Sequence, residues 1–283
     1  MNGILYRTVK IDGVDIFFRE AGSPGYPVLV MLHGLPSSSY AFRDVIPCLA
    51  QRFHVIAPDF PGFGNSAVPG EGDLPLTFDR VVDYMDRLLE HLWINRFSLY
   101  MTGLGGAVGF RVARRRPESI TSLIVQNANA YSEGLADPAR SLERIRECFL
   151  SLDGLEAFYT HGARSPQNIC PDAWNMDHQL LQRPGREAVL LDLLDDYGNN
   201  PSQYAQWQAH FRNHQPPTLV IWGKRDPFYS VDGAFAYEQD LQDVEVHLLD
   251  TGHFALEEEG LMISNLVKSL LERRARTKLS RAE

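Results

Sequence analysis

The stretch Phe97-Ser98-Leu99-Tyr100-Met101-Thr102-Gly103-Leu104-Gly105-Gly106 decides the fold of this chain. Its first part, Phe97–Met101, reads as a buried strand, and the glycines Gly105 and Gly106 open a helix that ends before Pro117. A strand that turns on glycine straight into a helix is a unit of α/β architecture. Upstream, Val14–Phe18 and Val28–Leu32 read as strands, Tyr40–Ala50 as a helix and His54–Ala57 as a further strand. Thr77 caps an amphipathic helix in which Val81, Val82, Met85, Leu88 and Leu89 recur at helical spacing. Downstream, Ile120–Gln126 supplies one more strand.

The pattern then changes. From about Tyr131 to His214 helical segments are separated by breaks at Pro138, Pro166, Pro171, Pro184 and Pro201, with no strong strand. Alternation resumes with Thr218–Trp222, a helix near Gly233–Asp240, the strand Glu245–Leu249 and a long closing helix after His253. The expected organisation is one α/β core, residues 1–130 and 215–283, interrupted by a helical cap, residues 131–214.

Composition narrows the function. With 44% hydrophobic and 22% charged residues the 283-residue chain has ample material for a core. A formal charge of −9 opposes a nucleic-acid partner, which would need clustered cations to release counterions. The local basic run Arg111, Arg114, Arg115 and Arg116 reads as a solvated helix end, and the tail from Glu272 to Glu283 as a fraying terminus. No stretch approaches the about 18 apolar residues of a membrane span, and Met1–Lys10 has no apolar signal region, so no membrane partner and a cytoplasmic location are expected. Cys48, Cys148 and Cys170 are too widely spaced for a zinc or redox pair and read as reduced, mostly buried thiols. Nucleotide, flavin and metal-ligand signatures are missing, which predicts an absence of cofactor and metal. The expected partner is a small-molecule substrate, with a homodimer left open.

Four segments carry the chemistry: His33-Gly34-Leu35-Pro36, Asp59-Phe60-Pro61-Gly62-Phe63-Gly64, Gly103-Leu104-Gly105-Gly106, and Asp226 with Thr251-Gly252-His253. In this order, each just after an expected strand, they resemble the α/β-hydrolase superfamily over nearly the whole chain. The resemblance implies a mostly parallel eight-stranded sheet flanked by helices, with an inserted helical cap. The His33–Pro36 form, the run Gly105–Arg111, the segment Trp222–Pro227 and the helical cap are similar to the epoxide-hydrolase and haloalkane-dehalogenase branch. That branch attacks with an Asp, and esterases of the fold with a Ser, at the position occupied here by Gly103. Thr102 points away by strand alternation, and Ser37, Ser38 and Ser66 read as loop and helix-start residues.

Asp226 and His253 follow neighbouring strands and are expected at one sheet edge, where a carboxylate fixes the tautomer of the imidazole and steadies its charged form. Asp250 reads as closing the turn before His253. The resemblance implies an oxyanion site from the backbone N–H groups of Leu35 and Leu104. His33 reads as ordering its own loop. His33 and Pro36, with Tyr159, Trp174, Tyr204 and Trp207 of the cap, are the candidate substrate-binding residues; His161 and Tyr197 are further cap candidates. Leu35 and Leu104 stand where dehalogenases of this type commonly place Asn and Trp, which disfavours halide binding.

The reading that follows is an enzyme acting on a small apolar organic molecule, with His253 and Asp226 as a general base and without a covalent intermediate. Hydrolysis, elimination and cyclisation all stay open. The alternatives are an inactive hydrolase relative that binds a small ligand, and a variant in which Gly103 replaces the nucleophile of an epoxide-hydrolase-like enzyme.

Overall fold

A computed structural model describes residues 3–70, 75–135, 146–149 and 151–279. Its eight strands are β1 Leu5–Ile11, β2 Val14–Ala21, β3 Val28–Leu32, β4 His54–Pro58, β5 Phe97–Thr102, β6 Ile120–Gln126, β7 Thr218–Gly223 and β8 Val244–Leu249. They form one sheet in the order β1-β2-β4-β3-β5-β6-β7-β8. β2 pairs antiparallel with β1 and β4, and every other pairing is parallel. The fold is thus the α/β-hydrolase fold. Its central strands β3, β5, β6 and β7 are apolar and largely buried along their length, because helices cover both faces of a parallel sheet.

Helix α1 is the single turn Ile46–Leu49, α2 spans Phe78–His91 and α3 spans Gly105–Arg115. Thr77 caps α2 by accepting the Arg80 N–H, and Val81, Val82, Met85, Leu88 and Leu89 are all buried. Between β6 and β7 lie α4 Leu152–Thr160, α5 Asp172–Leu181, α6 Arg186–Tyr197 and α7 Tyr204–His214. Pro138 of the expected cap falls outside the described residues. The single turn α8 Asp232–Phe235 and the long α9 Ala255–Leu279, kinked at Glu259, complete the chain.

Several expectations need correction. The expected helix Tyr40–Ala50 is a 3-10 turn, Ser39–Phe42, followed by α1; Ser38 caps the first, and Pro47 at the start of the second lets the helix begin afresh. The helix expected near Gly233–Asp240 is α8 followed by the 3-10 turn Ala236–Gln239. Arg111 is not solvated: it is 3% exposed, bonds to Asn200 and the Ala107 carbonyl at 2.9 Å, and meets Asp79. Arg115 and Arg116 pair with Asp83, Asp86 and Glu90 of α2. None of the cysteines is fully buried, and Cys170 is exposed. Among the described residues no helix is long and apolar enough to cross a membrane.

Candidate functional site

The strand β5 ends in a turn at Gly103, whose φ of +52° is strained for any residue with a side chain. Its N–H bonds to the Gln126 carbonyl at 3.1 Å, and its carbonyl receives the Gly106 N–H at 3.0 Å, so the turn is pinned to β6 on one side and to α3 on the other. Gly105 starts α3 against the backbone of His33: a Cβ there would stand 2.3 Å from the His33 carbonyl oxygen. The β3 loop and the start of α3 can approach this closely only through glycine.

Asp226 and His253 leave the ends of β7 and β8 and meet beside this turn. His253 Nδ1 lies 2.8 Å from Asp226 Oδ2. The same oxygen accepts the Asn127 carboxamide at 2.6 Å, and Oδ1 accepts the N–H groups of Phe228 and Tyr229 at 2.8 and 3.2 Å. The Asp226 side chain is fully buried, and these donors satisfy its oxygens away from water. The second nitrogen, Nε2, faces Gly103: a Cβ built on Gly103 would lie 3.0 Å from it.

A cavity of about 10 Å³, room for about one water, is lined by Leu35, Leu104, Phe149, Phe158, Phe228, Tyr229 and His253. Leu35 and Leu104 are 4% and 6% exposed, and neither amide is among the hydrogen-bonded N–H groups of the described residues. Buried amides without partners are rare, and two beside one cavity form a ready pair of donors for a partial negative charge. His253 is itself only 9% exposed. Aromatic rings seal it: Phe158, Phe228, Tyr229 and Phe254 have centroids 5.2 to 6.2 Å from the imidazole.

The other candidates are distributed differently. His33 is buried, accepts the Phe60 N–H at Nε2 and meets the Gly34 carbonyl through Nδ1, both at 2.9 Å, so it orders two loops. Burial lowers its pKa to about 4. Pro36 lies one residue beyond the Leu35 amide, joined by a cis peptide. Tyr159 gives its hydroxyl to Asp177 at 2.6 Å, and Trp174 packs beside Tyr159 at 6.2 Å. Tyr204 receives the Asn129 carboxamide at 3.2 Å and bonds to Tyr197, which reaches Tyr229 at 2.7 Å. Trp207 packs on Phe110 of α3, 5.1 Å between centroids. None of these six lines the cavity beside His253. Asp250 stands at the bend after β8, and its carboxylate is held in a two-pronged ion pair with Arg225.

Sequence reasoning passed over Asn127 as a structural partner of Asp226, and Phe158, Phe228 and Tyr229 as walls of the cavity. Asn127 carried one legible signal, an Asn directly after a strand, where its φ of +44° suits that residue type. Among the described residues no group of His, Cys, Asp and Glu is arranged to hold a metal ion.

Residues 27–260 match the family described as alpha/beta hydrolase fold. An uncharacterized hydrolase of Saccharomyces cerevisiae is 38% identical over 95% of this chain and 99% of its own. Shorter matches are a soluble epoxide hydrolase of Corynebacterium, 37% identical over 43% of this chain and 41% of its own, and a haloalkane dehalogenase of Bradyrhizobium diazoefficiens, 34% over 41% and 37%. Among solved structures, a haloalkane dehalogenase loop variant from Bradyrhizobium elkanii superposes with a TM-score of 0.80 at 22% identity, covering 99% of this chain and 100% of that one. That likeness is one of fold.

Proposed function

This chain belongs to the α/β-hydrolase-fold family, and from that premise we propose that it is an enzyme in which His253, oriented by Asp226, acts as a general base on a small apolar organic substrate without forming a covalent adduct. The observation that carries this reading is the 3.0 Å between His253 Nε2 and the point where a Cβ on Gly103 would stand. With no side chain on Gly103, an oxygen atom in van der Waals contact with its Cα, beside that point, can lie within hydrogen-bonding distance of Nε2. A water, or an acidic proton of the substrate, takes the place of a side-chain nucleophile. The unpaired amides of Leu35 and Leu104 then receive the developing negative charge.

Magnitudes limit the substrate. A positioned base contributes about 10²–10⁴-fold, which suits a strained epoxide, an activated ester or an enolisable ketone and falls short of an unactivated amide. The similarity to a soluble epoxide hydrolase supports the first of these. The apolar side chains of Leu35 and Leu104 oppose a halide leaving group. The segment 131–214 serves as the cap that covers the substrate, and the enzyme works in the cytoplasm without a cofactor.

The test compares the intact protein with His253→Ala on a panel of epoxides, activated esters and enolisable ketones, following product masses. Turnover that falls at least about 100-fold in the variant is expected. For a hydrolysed substrate, a single turnover in ¹⁸O-water should put the label in the product and none in the protein. Equal turnover by both proteins overturns the reading; binding of panel members by both, with no turnover by either, moves the chain to the class of ligand-binding relatives.

A further inference from the structure

A second set of buried ionisable groups lies under the cap. Asp177 of α5 is 2% exposed and receives the Tyr159 hydroxyl of α4 at 2.6 Å. Ser37, two residues beyond Leu35, is buried beside both and acts on each. Two cap helices and the loop that carries the Leu35 amide therefore converge on one carboxyl group. From there the contacts lead to the base: the Tyr159 ring stacks on Phe254 with centroids 3.9 Å apart and planes at 15°, and Phe254 sets its edge against the His253 ring at 5.2 Å.

The charges around Asp177 do not neutralise it. Arg43, beyond the Ser39–Phe42 turn, and Glu257 of α9 both act on it, but they are bound to each other through two bonds of 2.9 and 2.7 Å. Tyr40 of the same turn faces Arg43. On α5 itself the other titratable groups are Asp172 and His178, and on α4 Asp153 and Glu156 are exposed. Burial raises Asp177 to about 7, against the opposite pull of its bond to Tyr159 and of the nearby Ser37 hydroxyl. A neutral carboxyl can accept the Tyr159 hydroxyl and keep its own proton, whereas a carboxylate in this place lacks solvent and confronts Glu257.

We infer that Asp177 is a positioning residue: in its neutral form it draws α4 and α5 onto the Leu35 loop and seats Tyr159 against the Phe254–His253 wall, and on ionising it releases them. Its effect on catalysis rests on the reading of His253 as the base; cap closure itself does not. The sign follows from linkage. In the closed cap Asp177 keeps its proton to about pH 7, and in an opened, solvated cap it ionises near the ordinary carboxylate value of about 4. Closure is strongest in acid and weakens as pH rises between these limits, with opening increasing up to about tenfold per pH unit and levelling off above the upper one.

Hydrogen exchange measures opening without any substrate, so it stands apart from the test of His253. In the wild-type protein, protection factors of amides in α4 and α5 should fall by about 10–100-fold between pH 5 and 7, while those of α2 stay level. Asp177→Asn, which keeps a polar partner for Tyr159 but cannot ionise, should abolish the fall. Tyr159→Phe removes a bond that favours the carboxylate, so the fall should extend to higher pH; this variant also tests the inference should Asp177→Asn not fold. Level protection in the wild type, or an equal fall in Asp177→Asn, overturns it, as does a Tyr159→Phe profile that coincides with the wild type.

Discussion

Asn127 donates its carboxamide to Asp226 Oδ2 at 2.6 Å, the same oxygen that faces His253 Nδ1 at 2.8 Å. With the Phe228 and Tyr229 amides on the other oxygen, the carboxylate is fixed against rotation. A hydrogen bond to a charged group contributes about 1.5–3 kcal/mol, and this is the expected loss of stability in Asn127→Gly. Asn127→Ala should lose about 1–2 kcal/mol more, because its φ of +44° disfavours a Cβ without a polar group. Urea unfolding of the pair separates the two effects. Turnover should fall about tenfold in Asn127→Gly, and considerably further in Asp226→Asn, which can present the wrong hydrogen-bonding group to the imidazole. An Asn127→Gly protein as stable and as active as the wild type would show that the carboxamide does not hold the acid.

At Gly103 the backbone and the chemistry can be tested together. Gly103→Ala introduces a side chain at φ +52° and places it 3.0 Å from His253 Nε2. The strain should lower stability by about 1–2 kcal/mol, and the methyl should displace the reacting oxygen, with turnover falling at least about 100-fold. Gly103→Ser carries the same strain but sets a hydroxyl beside the base, so an activated ester should give a burst of leaving group followed by slow deacylation. Full turnover in Gly103→Ala would mean that the reacting oxygen does not sit beside Gly103.

How much of this was legible depends on which interactions specify each part. Phe97–Met101 and Ile120–Gln126 could be read from sequence almost to the residue because β5 and β6 lie inside a parallel sheet, where burial on both faces writes a mostly apolar run, broken only by Ser98 in one and by Thr121, Ser122 and Gln126 in the other. The edge strand β1, Leu-Tyr-Arg-Thr-Val-Lys-Ile, escaped notice because most of its residues are exposed and only Ile11 is buried. Asp226 and His253 were found through resemblance and strand order. Asn127 and Phe158 reach them across 99 residues in one case and through an aromatic cluster in the other, contacts for which local sequence carries no period. Asp177 sits in an ordinary helical segment; its burial depends on Tyr159 of α4, on the Ser37 loop and on α9, none of them near it in sequence.

His33 should leave a signature in acid. It is held neutral, its two nitrogens engaged by Gly34 and Phe60, with its pKa lowered from 6.5 to about 4. A depressed pKa means that the stability it protects is fully present above pH 6.5 and is lost as pH falls through 4. The loss amounts to about 3 kcal/mol. His210, also lowered to about 4 by burial and by His214, acts in the same direction. Urea unfolding from pH 7 to 4 should therefore show a decline that His33→Asn reduces by about one proton without removing it. An unchanged slope would mean that His33 takes up its proton as readily when folded as when unfolded.

Phe158 walls the small cavity at His253. Its ring meets Phe149, Phe228 and Phe254 at 4.8, 4.7 and 5.3 Å and closes the small cavity at His253. Phe158→Ala should lower stability by about 3–5 kcal/mol, since a buried ring is lost and its space only partly refills. The same space lies next to His253, so on the proposed function competition between a compact and a bulky member of the accepted substrate class should shift toward the bulky one in kcat/KM. Phe158→Leu should fall between the wild type and the alanine variant in both respects. Stability that falls while the substrate ratio stays fixed would show that Phe158 is a core residue and that substrates approach His253 from another side.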